Sequence, residues 1–175
     1  MSGAGKSHVS ARLLEATGAV RLRSDVVRKR LFGLDALASS DALGRERVYS
    51  ADATRRTYAR LADDAAAALA AGWPVIVDAA FLRRAERDAL RQLARRVGVP
   101  FTILDCRADA EVLRTRVAAR SRRGGDASEA DVAVLERQLG YVEPLAADER
   151  AASLTLDTAR PLAVDALAAR WLAAR

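Results

Sequence analysis

Asparagine is absent from all 175 residues, cysteine and histidine occur once each, and only two of the 29 basic residues are lysine. Each scarcity excludes a class of chemistry. Without asparagine, the Asn-Lys-x-Asp box with which GTPases read guanine cannot be present. Cys106 alone forms no internal disulfide, and a single cysteine with a single histidine, His8, makes no zinc cluster. Any metal is therefore expected to be a hard ion held by oxygen. Aromatic residues make up 5% of the chain and are dispersed, too few to line a channel of stacked bases, which argues against nucleic acid as a partner. The most apolar stretches, 74–82 and 99–104, are far shorter than the ~20 residues of a bilayer span. No basic start followed by an apolar run opens the chain, so a cytoplasmic location away from membranes is expected.

Arginine is what the chain has in abundance, and it carries most of a net charge of +6. The arginines are spread along amphipathic stretches among Asp and Glu, the pattern of solvated helix faces rather than of one polyanion-binding run. At this length one domain with its own core is expected.

Apolar periodicity orders that domain. Val9, Leu13 and Ala16 predict a helix over 8–17 ended by Gly18, and 19–23 alternates as a short strand does. Ser24 or Asp25 is positioned to cap a second helix that stops near Gly33. Residues 34–50 lack periodicity and read as a mobile connection. A long Ala-rich helix over 51–71 precedes the apolar run Pro74-Val75-Ile76-Val77-Asp78, which has the look of a buried parallel strand. A helix over 84–97 closed by Gly98, a strand over 101–105, a helix over 109–120 and a loop over 121–126 follow. Ser128 with Asp131 resembles a capping box for the next helix. A strand over 153–156 and a helix over 162–174 end the chain. Strands alternating with helices predict an α/β fold with a parallel sheet covered on both faces.

Ser2-Gly3-Ala4-Gly5-Lys6-Ser7 fits the end of the pattern G-x-x-x-x-G-K-[ST]. In that pattern backbone N–H groups cup phosphates, the lysine reaches the β and γ oxygens, and the hydroxyl binds magnesium. Lysine at this position in a chain with 27 arginines argues that a compact ammonium is required there. The first glycine of the pattern would fall one residue before Met1, so it and the strand ahead of it are missing from the motif. Ser2, Gly3, Ala4, Gly5, Lys6, Ser7 and His8 are thus candidate nucleotide contacts, with ATP and Mg2+ as the ligands. Thr158, just past the last strand, is placed where the base would rest.

Asp25 and Arg28 lie one helical turn apart just past the first predicted strand, at the carboxyl edge where open α/β sheets bind ligands. Asp25 suits a general base on a substrate hydroxyl, and Arg28 suits an anionic group beside it. Asp78, ending its strand, is positioned with Ser7 to serve magnesium. Arg116 and Arg120 share a helix face leading into Gly124-Gly125, the composition of a lid that brings cations over a transferring phosphate.

These motifs, with Arg23-Ser24-Asp25-x-x-Arg28 and Val75-Ile76-Val77-Asp78-Ala79-Ala80-Phe81, resemble the P-loop kinases related to polynucleotide kinase, zeta toxin and gluconate kinase. The likeness extends to bacterial proteins of the AAA ATPase group that often accompany an aminoglycoside-phosphotransferase-like domain. The resemblance implies a P-loop NTPase three-layer sandwich over 1–175, with a helical lid near 114–127 and without its first, central strand. It further implies phosphoryl transfer from ATP to a hydroxyl of a small-molecule acceptor, with Lys6, Asp25, Arg28, Arg116 and Arg120 as the catalytic set. An ATP-binding or ATPase module without transfer and a polynucleotide 5′-hydroxyl kinase are the alternatives.

Overall fold

The computed structural model describes residues 1–173. The phosphate-loop residues run straight into α1 (Lys6–Thr17), which Gly18 terminates in the left-handed conformation with its N–H on the Leu14 carbonyl. β1 (Val20–Arg23) passes without a loop into α2 (Ser24–Leu31). Neither Ser24 nor Asp25 caps that helix, because both already lie within its first turn and Arg23 occupies the cap position without a capping side chain.

The connection over 34–50 is not featureless. It carries a short 3-10 turn (Asp41–Leu43) and α3 (Arg45–Val48), with Val48 fully buried. Local periodicity was too short to announce either, since one turn of helix gains little without tertiary packing. Ser50 then caps α4 (Ala51–Ala70) by accepting the Ala53 N–H at 3.1 Å.

β2 (Val75–Asp78) leads to α5 (Arg84–Val97), whose bounds match the periodicity and whose end is the predicted Gly98. β3 (Ile103–Arg107) starts two residues later than expected. Its start is set by its partner: the Ile103 N–H donates to the Ala152 carbonyl at 2.9 Å, and pairing begins opposite Ser153. α6 (Ala110–Arg123) runs three residues further than predicted and stops at Gly124, φ +66°. Asp131 alone caps α7 (Val132–Tyr141), accepting the Val134 N–H at 2.8 Å; Ser128 takes no part in that cap. A short α8 (Ala147–Ala151), which no sequence pattern announced, precedes β4 (Ser153–Asp157) and α9 (Val164–Ala173). The predicted last residue of α9, at 174, lies outside the described residues.

All strand pairs are parallel, as expected for an α/β fold. β1 pairs with β2 in the register Val20 to Val75 through Arg23 to Asp78, and β3 pairs with β4 from Ile103–Ser153 to Arg107–Asp157. Among the described residues the four strands form two separate two-stranded sheets. Between them lies a cavity of about 770 Å³ lined by Val75–Asp78 of β2 and Ile103–Cys106 of β3, with Met1 and Lys6 at its wall.

Side chains alternate across β2 as a sheet buried on both faces requires. Ile76 joins Val9, Leu13, Leu167 and Ala168 of α1 and α9 in one core, while Val77 packs with Val27, Leu61 and Phe81 toward α2 and α4. Helices therefore cover both faces, giving three layers. A third cluster, Ala4 with Leu113, Val117 and Leu135, clamps the phosphate loop against α6 and α7.

Candidate functional site

The loop at residues 2–7 owes its shape to two glycines. Gly3 and Gly5 adopt φ +75° and +74°, a region that costs an L-residue about 1–2 kcal/mol. Gly3 is further constrained, since a Cβ there would sit 2.7 Å from the Leu113 carbonyl oxygen. At Gly5 a Cβ would press on Thr158 at 3.1 Å. Gln138 anchors the loop by accepting the Ser2 N–H at 2.7 Å.

Gly5 is the N-cap of α1 and no side chain caps that helix. The His8 and Val9 N–H groups turn back onto the Gly5 carbonyl at 3.0 Å each. An uncapped N-terminus of a 12-residue helix behind two left-handed glycines is a cradle for an anion, because its first N–H groups and the helix dipole point the same way. The Lys6 ammonium reaches over this loop to the Met1 carbonyl at 2.6 Å. Burial holds its pKa below the ordinary lysine value, against the opposing pull of Asp78, Cys106 and Asp25. His8 faces solvent from the first turn of α1.

Asp78 ends β2 beside Arg23 in the register of the sheet and is 7% exposed. Its Oδ2 accepts from Ser10 Oγ at 3.0 Å and from Arg21 at 2.8 Å, with Arg23 at 3.8 Å. Arg21 also donates to the Ser7 carbonyl at 2.9 Å, which ties the strand end to the start of α1. Arg21 and Ser10 were missed from sequence. The signal was faint: a basic residue at the middle of a strand whose other face is apolar.

Asp25, half-buried in the first turn of α2, has its pKa raised by burial, while the Ser128 side chain, Lys6, Arg28 and Arg23 pull it the other way. Arg28 is buried and donates to the Val48 carbonyl at 3.0 Å and to Thr54 Oγ1 at 3.3 Å. Its guanidinium lies 5.0 Å from the Tyr49 ring centroid, and its Nε is buried without a partner. The charges of Asp78, Asp25 and Arg120, far apart in sequence, thus act together on Lys6.

The two lid arginines separate. Arg116 donates to the Thr158 carbonyl at 2.6 Å and Oγ1 at 3.0 Å, and to the Gly3 carbonyl at 3.4 Å. Thr158 is itself held on the Arg107 carbonyl at the end of β3. Arg120 donates to the Ala130 carbonyl at 2.7 Å across the Gly124-Gly125 loop. That loop is pinned at Asp126, which accepts from Arg23 at 3.0 Å.

Parallel strands with helices on both faces, and a glycine loop feeding a helix at the carboxyl edge, define a P-loop nucleotide-binding fold. Residues 1–145 match the AAA domain family, and the chain belongs to it. Solved kinase structures share the fold. A sugar kinase from Janibacter sp. HTCC2649 matches with a TM-score of 0.68 at 23% identity, covering 99% of this chain and 88% of that one. A gluconokinase from Sinorhizobium meliloti 1021 matches with a TM-score of 0.63 at 25% identity, covering 98% and 87%. An APS kinase from Mycobacterium tuberculosis, solved in complex with AMPPNP and APS, matches with a TM-score of 0.63 at 20% identity, covering 99% and 92%. No curated protein matches the sequence. Among the described residues no helix is long and apolar enough to cross a membrane.

Proposed function

We propose that this protein transfers the γ-phosphoryl group of ATP to a hydroxyl of a small-molecule acceptor. The observation that carries the reading is the shared neighbourhood of Lys6, Asp25 and Asp78 at the uncapped start of α1, in a fold common to sugar and gluconate kinases. The loop N–H groups and Lys6 hold the phosphates. Asp25 takes the proton of the acceptor hydroxyl as its oxygen bonds to the γ-phosphorus and the bond to the β,γ-bridging oxygen breaks, leaving ADP. Burial raises the Asp25 carboxyl, which makes it a stronger base than an exposed aspartate. Arg28, already desolvated and with its Nε unpaired, is suited to an anionic group of the acceptor.

Magnesium fits the residues present. The Ser7 hydroxyl and the Asp78 carboxylate are hard oxygen donors, and the Asp78 ion pairs all converge on Oδ2, which leaves Oδ1 for a metal-bound water. When bound, the ion would neutralise phosphate charge. Arg116, tied to Thr158 and Gly3, suits positioning of the nucleotide, and Arg120, whose charge acts on Lys6, suits the transferring group. Ser2, Gly3, Ala4, Gly5 and Thr158 complete the nucleotide site in this reading, in a cytoplasm that supplies ATP.

The test is transfer of labelled γ-phosphate from ATP to pools of sugars, sugar acids and other small hydroxyl acceptors, comparing the protein with Asp25→Asn. The expected outcome is a labelled acceptor product that Asp25→Asn loses while AMPPNP binding is retained. Hydrolysis with no acceptor product would instead identify an ATPase module, and normal transfer by Asp25→Asn would remove that residue from the mechanism.

A further inference from the structure

Lysine stands at two positions in a chain with 27 arginines. Lys6 belongs to the phosphate loop. Lys29 does not, yet among the described residues it is the largest fully buried side chain, 1% exposed. Its ammonium lies 3.3 Å from Oε1 of Glu129, itself 10% exposed. The same carboxylate accepts the Ser40 N–H at 2.8 Å on Oε1 and, on Oε2, both the Ser40 hydroxyl and the Tyr49 hydroxyl, the latter at 3.3 Å. Ser40 is fully buried. Burial alone would raise the Glu129 pKa, but the two Ser40 donors and Lys29 outweigh it and hold the carboxyl below its usual range.

Glu129 thus gathers donors from α2 and from two separate parts of the 34–50 connection, while sitting on the loop that follows the lid helix. Its neighbours extend the joint toward the chemistry. Ser128 acts on Asp25, the Tyr49 ring lies under the Arg28 guanidinium, and Arg45 approaches Asp131 at 3.8 Å. A buried ion pair seldom stabilises a fold more than an apolar pair of equal volume would. What it fixes is relative position. An ammonium presents three donors from a compact head, here to a carboxylate that already accepts from Ser40 and Tyr49.

We infer that Lys29 and Glu129 are positioning residues that join the 34–50 connection and the 124–131 loop to α2, so that both stretches form one wall beside Asp25 and Arg28 and open together. The functional meaning of the wall rests on the kinase reading; the joint itself does not. A wall of this kind keeps water from the transferring phosphate until acceptor is bound.

The test compares Lys29→Met and the isosteric Glu129→Gln with the unchanged protein by amide hydrogen exchange, AMPPNP–Mg2+ titration and ATP hydrolysis without added acceptor. In Lys29→Met, exchange is expected to rise about tenfold over 34–50 and 124–131 in parallel, with α1 and the strands still protected. AMPPNP affinity stays within about twofold and acceptor-free hydrolysis rises about fivefold as water gains access. Glu129→Gln, which keeps one acceptor oxygen for the Ser40 N–H, shows the same pattern at smaller amplitude. Loosening of one segment without the other, or exchange unchanged in both, overturns the joint. Hydrolysis that falls together with AMPPNP affinity would mark a merely structural pair and overturns the positioning role. If the unchanged protein binds no AMPPNP, the kinase reading fails while the exchange arm still decides the joint.

Discussion

Gly3 and Gly98 have nearly the same backbone, φ +75° and +74°, but only one of them is hemmed in. Nothing lies within 4 Å of a Cβ built on Gly98, whereas one on Gly3 meets a backbone carbonyl of α6 at 2.7 Å. Gly98→Ala is therefore expected to cost about 1–2 kcal/mol, the left-handed strain alone, with AMPPNP affinity unchanged. Gly3→Ala adds a collision with a backbone that cannot swing away, and it pushes the phosphate loop off α6. Its expected signature is a stability loss exceeding that of Gly98→Ala and nucleotide binding weakened at least about tenfold. Urea denaturation and a nucleotide titration on both variants check this, and equal effects would mean the close approach carries no function. Asp25 supplies a second residue-scale prediction. Its folded pKa is raised, so in the proposed role of base it would be inactive below that value and active above it. The transfer rate should rise with pH along a limb centred above the ordinary aspartate value of 3.8, and nucleotide binding should lack that limb.

Arg87 and Glu149 join α5 to α8 through two hydrogen bonds, 2.6 Å and 3.0 Å, between side chains 5% and 1% exposed. The Arg87 bond first, and then the Ala146 N–H, hold the Glu149 carboxyl below its usual range against the opposing effect of burial. Arg87→Met strands a buried carboxylate and is expected to cost about 3–5 kcal/mol, whereas Arg87→Met with Glu149→Leu should recover most of it. The sign in pH follows from the depressed pKa. The stabilisation is complete above the ordinary glutamate value and is lost as pH falls through the lower folded one, so the double variant should lose less stability on acidification, as measured by thermal melts from pH 7 to 3. Elements of this kind show where sequence reading succeeds and stops. α5 was legible to the residue because its apolar stripe is long and Gly98 ends it, but the burial of Arg87 was not, since the expected basic face gave no sign that α8 would bring a carboxylate onto it. Asp25 and Arg28 were marked as candidates because they follow the end of β1, Asp78 because it ends β2, and the glycine loop by its own Gly-Lys-Ser pattern. Arg21, Ser10, Lys29 and Glu129 were not, because each acts through a partner more than 50 positions away, and α3 and α8 are too short to declare themselves by period.

At the scale of the molecule the sheet is divided. β2 is paired through β1 on one edge and β3 through β4 on one edge, and the other two edges face the same cavity of about 770 Å³. Unpaired N–H and C=O groups along such an edge are costly away from water and attract another strand. The layers above and below offer it an apolar lining, with Val9, Leu93, Ala94 and Trp171 among the wall residues. A cavity so large and so lined should bind an apolar dye. 8-Anilinonaphthalene-1-sulfonate fluorescence is expected on mixing with the native protein, and Ala94→Glu, which puts charge of the dye's own sign at the wall, should diminish it. A stronger check offers both edges a partner. At ~3.3 Å rise per residue, about six β-branched residues fused ahead of Met1 span both edges. Met1 is among the wall residues, so such a segment starts at the cavity. Filling the space should raise Tm by several degrees, abolish dye binding and protect the amides of 75–78 and 103–106 from exchange. Alternating prolines in the same segment remove its donors while keeping it apolar, and should return most of the gain. If the proline segment stabilises as much as the β-branched one, the cavity is filled by hydrophobic contact alone and the two strand edges are not seeking a partner.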